Sequence, residues 1–283
     1  MRKVIFLFSM VGFLELQGQD SFSNHLDDTL EYKIDSIVQM GIKQKAYPGA
    51  QVLIFKNDGI RLNKSYGFHT YDSIFPVENH HMYDLASVTK ILASTLAFMK
   101  LYELYDIDLD GKVANYIPLI KNTNKKNTTF REVLSHQAGW LPYIEHQNTV
   151  RLKNGKLRAR TLSTKQSKRY PDQLSDSLFI HRKYKKKIMR RIKKTPVEKI
   201  GEYRYSGLIF FLLPGMVQEM SGQPFDEFLE RHFYKPMGIE RLTFNPSFDY
   251  QKEEIVPTEK DSLFRETLVH GWVHDEAAGL MGG

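Results

Sequence analysis

Ser87 and Lys90, in the stretch "SVTK", are residue types that can carry covalent acyl transfer. Positions i and i+3 of a helix share a face, so a serine hydroxyl and a lysine amine at this spacing meet across one turn. Serine is a poor nucleophile until a base takes its proton. A lysine kept neutral by burial can be that base. A helix N-terminus adds unpaired N–H groups and partial positive charge, which favour a developing oxyanion. Leu85 and Ala86 precede the serine and "ILASTLAFMKLYELY" follows Lys90. Ser87 is therefore expected to be partly buried at the start of one long amphipathic helix. The spacing alone also fits a surface helix start with Ser87 as a cap. No other Ser-x-x-Lys occurs in the chain.

The length of 283 residues suits one large domain or two small ones, and the absence of cysteine excludes disulfides, thiol nucleophiles and cysteine metal sites. Arg2 and Lys3 followed by an apolar run at 4–14 read as an export signal, with Gly18 as a small residue near a cleavage point. Residues 1–18 are thus expected to be a signal peptide and 19–283 one domain in the periplasm or outside the cell. A buried strand or a membrane anchor is the other reading of that run. Net charge is +7, and the basic run "RKYKKKIMRRIKK" at 182–194 reads as a solvated helix face. It has no stacking or base-reading module beside it, so no nucleic-acid partner is expected.

The elements that must position the pair read as follows. Ile34, Ile37, Val38 and Ile42 mark a first helix within 21–45. Asn57, Asp58 and Gly59 turn a hairpin between "AQVLIFK" and "IRLNKSYGF". "TTFREVLSHQAGW" reads as a short helix capped by Thr128 or Thr129 and ending at Gly139. Residues 140–170 read as a long excursion and 176–194 as one basic helix. Residues 202–207 read as a short extended segment, 208–220 as a buried helix kinked at Pro214, and 224–232 as a helix begun by Pro224. The tail from 268 is rich in Gly and Ala and carries no expected element. Asp108, Asp110 and Gly111 lack the spacing of a calcium loop.

Three segments, "SVTK" at 87–90, "LSHQAGW" at 134–140 and "YSG" at 205–207, stand in an order that resembles the serine beta-lactamase-related family. The likeness is to class C beta-lactamases, D-alanyl-D-alanine carboxypeptidases and their esterase relatives. "LYELYDIDLDGKVANYIP" and "FDEFLERHFYKPMGIERLTF" are similar to connecting segments of that family, and the match runs from 27 to 283. The resemblance implies a mixed α and β fold: an antiparallel sheet flanked by helices in three layers, beside a mostly helical lobe. It implies Ser87 as nucleophile, Lys90 within hydrogen-bond reach, and Tyr205 facing both and passing the proton to the leaving group. It implies no cofactor and no metal. The substrate would be a small molecule or peptide: a peptidoglycan-like peptide, a beta-lactam or a small ester.

The chain departs from the family pattern at Gly207, where the family has Asn or Asp close to the lysine and the substrate. The family's third motif, on a late strand that supplies an oxyanion-hole N–H, would stand beyond Gly283. The sequence given is therefore expected to be an incompletely closed domain and a poor catalyst. A binding or remnant domain without turnover is the alternative function. His136 is expected to support the fold. His270 and His274 are four apart, but Gly271 weakens the helix that a zinc site at this spacing needs. No membrane span is expected after the signal, and the oligomeric state stays open.

Overall fold

A computed structural model describes residues 26–145, 150, 152, 154, 156, 158, 160–262, 267–272 and 279–282. The expected signal peptide and His274 lie outside these residues. The chain opens with helix α1 (Asp28–Lys43). Asp27 caps it by accepting from the Thr29 N–H, and Asp28 and Glu31 place negative charge at its positive end. The hairpin of β1 (Gly49–Lys56) and β2 (Gly59–Gly67) follows in antiparallel register, Lys56 opposite Gly59. Asn57 and Asp58 both take positive φ, 49° and 57°, as a two-residue hairpin turn requires.

Next comes the short strand β3 (Tyr83–Asp84). The single long helix expected after it is broken into a 3₁₀ turn (Ala86–Val88), a π-helical stretch (Lys90–Thr95) and α2 (Leu96–Tyr105). Ala86 has φ +43°, so the chain enters the turn from a left-handed residue, which L side chains adopt at a cost. π-helical widening of this kind is frequent at functional sites. Helices α3 (Val113–Tyr116) and α4 (Phe130–Leu134) follow. Thr129 and Glu132 form a capping box at α4, two orphan donors satisfied reciprocally.

The stretch from the end of the excursion into the expected basic helix contains more structure than its sequence suggests. Strands β4 (Leu162–Ser163), β5 (Asp172–Ser175) and β6 (Leu178–Ile180) form a small antiparallel sheet in the order β4-β6-β5. The helix expected over 176–194 is corrected to α5 (Tyr184–Lys194). Ser175 pairs with Leu178 across Asp176 and Ser177, and Leu178-Phe179-Ile180 gains more as a paired strand than as a helical turn. Helix α6 (Leu213–Ser221) follows a 3₁₀ turn (Ile209–Phe211). Pro214 lies in its first turn, where no N–H is needed, so it starts this helix rather than kinking a longer one. Pro224 then leads into α7 (Phe225–Leu229), which runs on as a π-helical turn (Glu230–Tyr234).

The last strands are β7 (Leu242–Phe244), β8 (Glu259–Asp261), β9 (Thr267–Val269) and β10 (Leu280–Gly282). The tail read as featureless therefore holds the end of β9 and the whole of β10, and β10 is central: the sheet order is β3-β10-β7. The architecture is mixed α and β with antiparallel pairing throughout the named strands, as expected. The described strands fall into four small sheets, and β1-β2 pairs only with itself. The main core joins the helical elements: Leu101 from α2, Phe130 from α4, Leu213 from α6 and Phe228 from α7 are all fully buried. Each such side chain contributes roughly 1.5–3 kcal/mol relative to exposure. Leu280 of β10 belongs to the same core, which ties the sheet to the helices. Among the described residues, no helix is long and apolar enough to cross a membrane.

Candidate active site

The turn carrying Ser87 is clamped from both sides. Asp84 Oδ1 accepts from the Ala86 N–H at 2.8 Å, and Asp84 Oδ2 accepts from the Thr258 hydroxyl at 2.9 Å. The Leu85 N–H donates to the Leu280 carbonyl at 3.0 Å, and the Leu280 N–H donates to Thr89 Oγ1 at 3.1 Å. Strand β10 thus grips the residues on either side of Ser87.

Lys90 Nζ donates to Ser87 Oγ at 3.0 Å. The expected partial burial of Ser87 is corrected: Ser87 is exposed, and it is Lys90 that is buried, at 9 % exposure. The short 3₁₀ turn keeps the serine at the surface, while the lysine, one turn on, lies among aromatic rings. Its Nζ is 5.6 Å from the Phe210 ring centroid and 6.0 Å from that of Tyr205. A hydroxyl open to a ligand beside an enclosed amine suits a reaction in which the amine takes the hydroxyl proton.

Tyr205 sits on an extended segment that belongs to no strand, and 43 % of it is exposed. His136 holds that segment. Its carbonyl accepts from the Arg204 N–H at 2.7 Å and its Nδ1 accepts from the Ser206 N–H at 3.2 Å, so both neighbours of Tyr205 are tied to one residue. Its ring packs 4.6 Å from the Tyr205 ring. Burial first, and then the nearby Lys90, hold the His136 imidazole below its ordinary pKa. That keeps Nδ1 free to accept. The backbone of His136 has φ +61°. Three residues on, Gly139 has φ +67° and sits so close to the Glu198 carbonyl that a Cβ would collide with it. Further support comes from Ser206 Oγ donating to the Leu141 carbonyl at 2.6 Å and the Gly207 N–H donating to the Pro142 carbonyl at 2.9 Å.

Gly207 lies against the same lysine. A Cβ there would stand 3.6 Å from Lys90 Cε and 3.7 Å from the Pro142 carbonyl, ordinary contact distances. A Cβ at 207 would therefore face Lys90 without displacing anything. Ser87, Lys90, Tyr205 and Gly207, from distant parts of the chain, thus come together around one amine. Thr89 and Leu280 carry no residue-type signal that marks them as site residues, and the sequence shows His136 only as a support of the fold. "LSHQAGW" was the available signal for His136; nothing in the sequence signals a strand pairing to Thr89.

His270 lies apart from this group, its Nε2 against the Ile255 carbonyl. Glu78, His80 and His81 come within metal-chelating range of one another. His81 Nδ1 already accepts from the Glu78 N–H at 3.0 Å and lies 2.9 Å from His69 Nε2. Its other nitrogen then carries the proton, so the ring has no free lone pair for a metal. The cluster is a hydrogen-bonded support for the loop before β3.

The family model described as Beta-lactamase matches residues 34–279. The chain belongs to the beta-lactamase family. Among curated members, a Salmonella typhimurium protein with the provisional name D-alanyl-D-alanine carboxypeptidase is 28 % identical over 296 residues, covering 94 % of this chain and 60 % of the relative. A Salmonella schwarzengrund protein of the same name is 29 % identical over the same shares. The chain therefore spans about three fifths of the length of these relatives. Solved beta-lactamase-family folds are similar too. The octameric penicillin-binding protein homologue from Pyrococcus abyssi superposes with a TM-score of 0.66 at 20 % identity, over 89 % of this chain and 53 % of that one. A class C beta-lactamase from Rhodobacter sphaeroides gives 0.58 at 15 % identity, over 88 % and 61 %. At these identities the structural likeness speaks for the beta-lactamase fold alone.

Proposed function

We propose that this chain is the acyl-transfer portion of an exported serine hydrolase acting on an amide or ester. Lys90 Nζ in hydrogen-bond contact with Ser87 Oγ, with the lysine buried and the serine exposed, is the observation that carries the reading. Ser87 Oγ attacks the carbonyl carbon as its proton passes to Lys90, forming the Oγ–C bond and a tetrahedral oxyanion. Collapse breaks the bond to the leaving amine or alcohol, and that group takes the proton by way of Lys90 and Tyr205. Water then attacks the ester, releasing the carboxylic acid and restoring the serine hydroxyl. Residues 1–18 serve as the export signal.

The relatives' carboxypeptidase name favours a peptide ending in D-alanyl-D-alanine as substrate, ahead of beta-lactams and simple esters. The test is to incubate the protein with such a peptide, a penicillin and a p-nitrophenyl ester and to follow release of D-alanine, ring opening and nitrophenol. Release of D-alanine that vanishes in Ser87→Ala supports the reading. Activity that survives Ser87→Ala contradicts it. One observation favours a second reading. Gly207 leaves the space beside Lys90 without the polar group the family pattern has there, which suits a domain that acylates but turns over slowly.

A further inference from the structure

Charge is segregated along this chain. Residues 151–194 hold 17 of the 40 Lys and Arg but only two of the 33 Asp and Glu, so this segment carries +15 and the remainder −8. Helix α5 concentrates that charge. Lys186, Arg190 and Lys194 stand at i, i+4 and i+8, one stripe of the helix, and all three are exposed. The apolar side of α5 is already used: Ile192 is fully buried, and Ile188 and Met189 pack on the main core. The cations also press on one another. Lys187 is held below its ordinary pKa by burial and then by Arg191 and Arg158, and His181 by burial and then by Arg169, Lys183 and Arg182. Such self-repulsion opposes the compact state, and an anionic partner relieves it.

A groove of about 680 Å³ runs beside the stripe. Lys185 and Met189, about 100° round the helix from Lys186 and Arg190, form one wall; Ile117, Phe211, Leu212 and Phe225 form much of the rest. Ser87, Lys90 and Tyr205 do not line it. Its size is that of a pocket for a small ligand or an acyl chain. Gly215 stands in its wall, and a Cβ there would meet nothing within 4 Å.

A cationic stripe beside an apolar groove matches an amphiphile with an anionic head and an apolar tail. Nucleic acid would match the stripe and leave the groove unused. The nearby Tyr170 and Tyr184 are engaged as well, Tyr170 with His181 and Arg169, and Tyr184 with Lys187. We propose that α5 and the groove beside it bind the phosphate headgroup and an acyl chain of anionic phospholipid, seating the protein on an anionic bilayer surface.

The test uses the full chain and two probes. One is vesicles of phosphatidylcholine with or without phosphatidylglycerol, read by co-sedimentation. The other is dihexanoyl phosphatidylglycerol below its micellar concentration, read by calorimetry. The protein is expected to bind the phosphatidylglycerol vesicles and not the neutral ones, with binding that weakens as salt is raised. Lys186→Glu/Arg190→Glu/Lys194→Glu should lose vesicle binding at least about tenfold, and the milder triple glutamine variant should lose less. Gly215→Phe fills the groove with all charges kept. It should weaken the short-chain lipid by about tenfold while leaving the melting temperature within a few degrees. Three results overturn the proposal: no binding to phosphatidylglycerol vesicles, a DNA oligonucleotide that binds more tightly than those vesicles, or a Gly215→Phe variant that binds the short-chain lipid as well as the parent does.

Discussion

The Leu280 N–H donates to the Thr89 hydroxyl across 3.1 Å, joining residues 191 positions apart. Thr89 follows the turn that presents Ser87, and Leu280 opens the central strand of the β3-β10-β7 sheet. Both residues are fully buried. A buried N–H left without an acceptor costs about 1–3 kcal/mol. Thr89→Val should therefore lower stability by about that amount, whereas Thr89→Ser, which keeps the acceptor, should lose less than Thr89→Val. Denaturant melts of the two variants compare them directly. Equal stability for valine and serine would mean that the strand does not hold the turn through this bond.

Gly207→Asn asks whether the missing polar group limits turnover. The backbone at 207 is not left-handed, and the new Cβ meets only ordinary contacts at 3.6 and 3.7 Å, so the fold should tolerate it. An amide placed beside Lys90 and a bound acyl group is expected to speed hydrolysis by on the order of tenfold or more, as added donors near developing charge do. Pre-steady-state ester hydrolysis separates acylation from deacylation. An unchanged deacylation rate in a folded Gly207→Asn protein would remove this residue from the account.

His136 supports Tyr205 from three directions, which separates its alanine and asparagine variants. Alanine loses the Nδ1 acceptor and the ring, and it takes on the strain of φ +61°. The cost should be about 1–3 kcal/mol, with labelling of Ser87 slowed as Tyr205 loosens. Asparagine tolerates a left-handed backbone and offers an acceptor, so it should recover part of both losses. If Asn and Ala slow labelling equally while differing in melting temperature, His136 acts on stability alone.

Acid should weaken the fold through its histidines. His69 is pushed down to about 4 by burial and by His81, and His81, His136 and His270 are lowered too, burial being the first cause in each. A depressed folded-state pKa means that the native form binds fewer protons than the unfolded chain. The stability these groups contribute is present above about pH 6.5 and is lost as pH falls toward 4. Melting temperatures taken from pH 7 to pH 4 should fall through that window. His69→Gln, which removes the most strongly shifted group, should flatten the slope. A melting temperature that holds level down to pH 4.5 would contradict this.

The hairpin was legible because three residues of turn chemistry, Asn57, Asp58 and Gly59, separate two apolar runs, and α4 because Thr129 and Glu132 state its start locally. The pair Ser87 and Lys90 was legible for the same reason: i, i+3 spacing is local. What the sequence concealed is non-local. The turn at the start of the expected long helix opens on a left-handed Ala86 whose N–H is held by Asp84, and propensity cannot foresee it. Strand β10 reads as a Gly-rich tail until β3 and β7 pair with it. β6 was lost inside an expected helix because its three apolar residues fit either period, and the partner that decides is β5. His136 was visible as a motif residue, but its hold on Tyr205 spans 70 positions between His136 and Ser206.

The central claim is that Ser87 is a nucleophile activated by Lys90. Intact-protein mass spectrometry after incubation with a fluorophosphonate, followed by peptide mapping, tests it most directly. One adduct is expected, on Ser87, absent in Ser87→Ala and formed on the order of 10²–10⁴ times more slowly in Lys90→Met, the usual range for loss of a general base. A folded protein that takes no adduct, or that is labelled at the same rate in Lys90→Met, would contradict it.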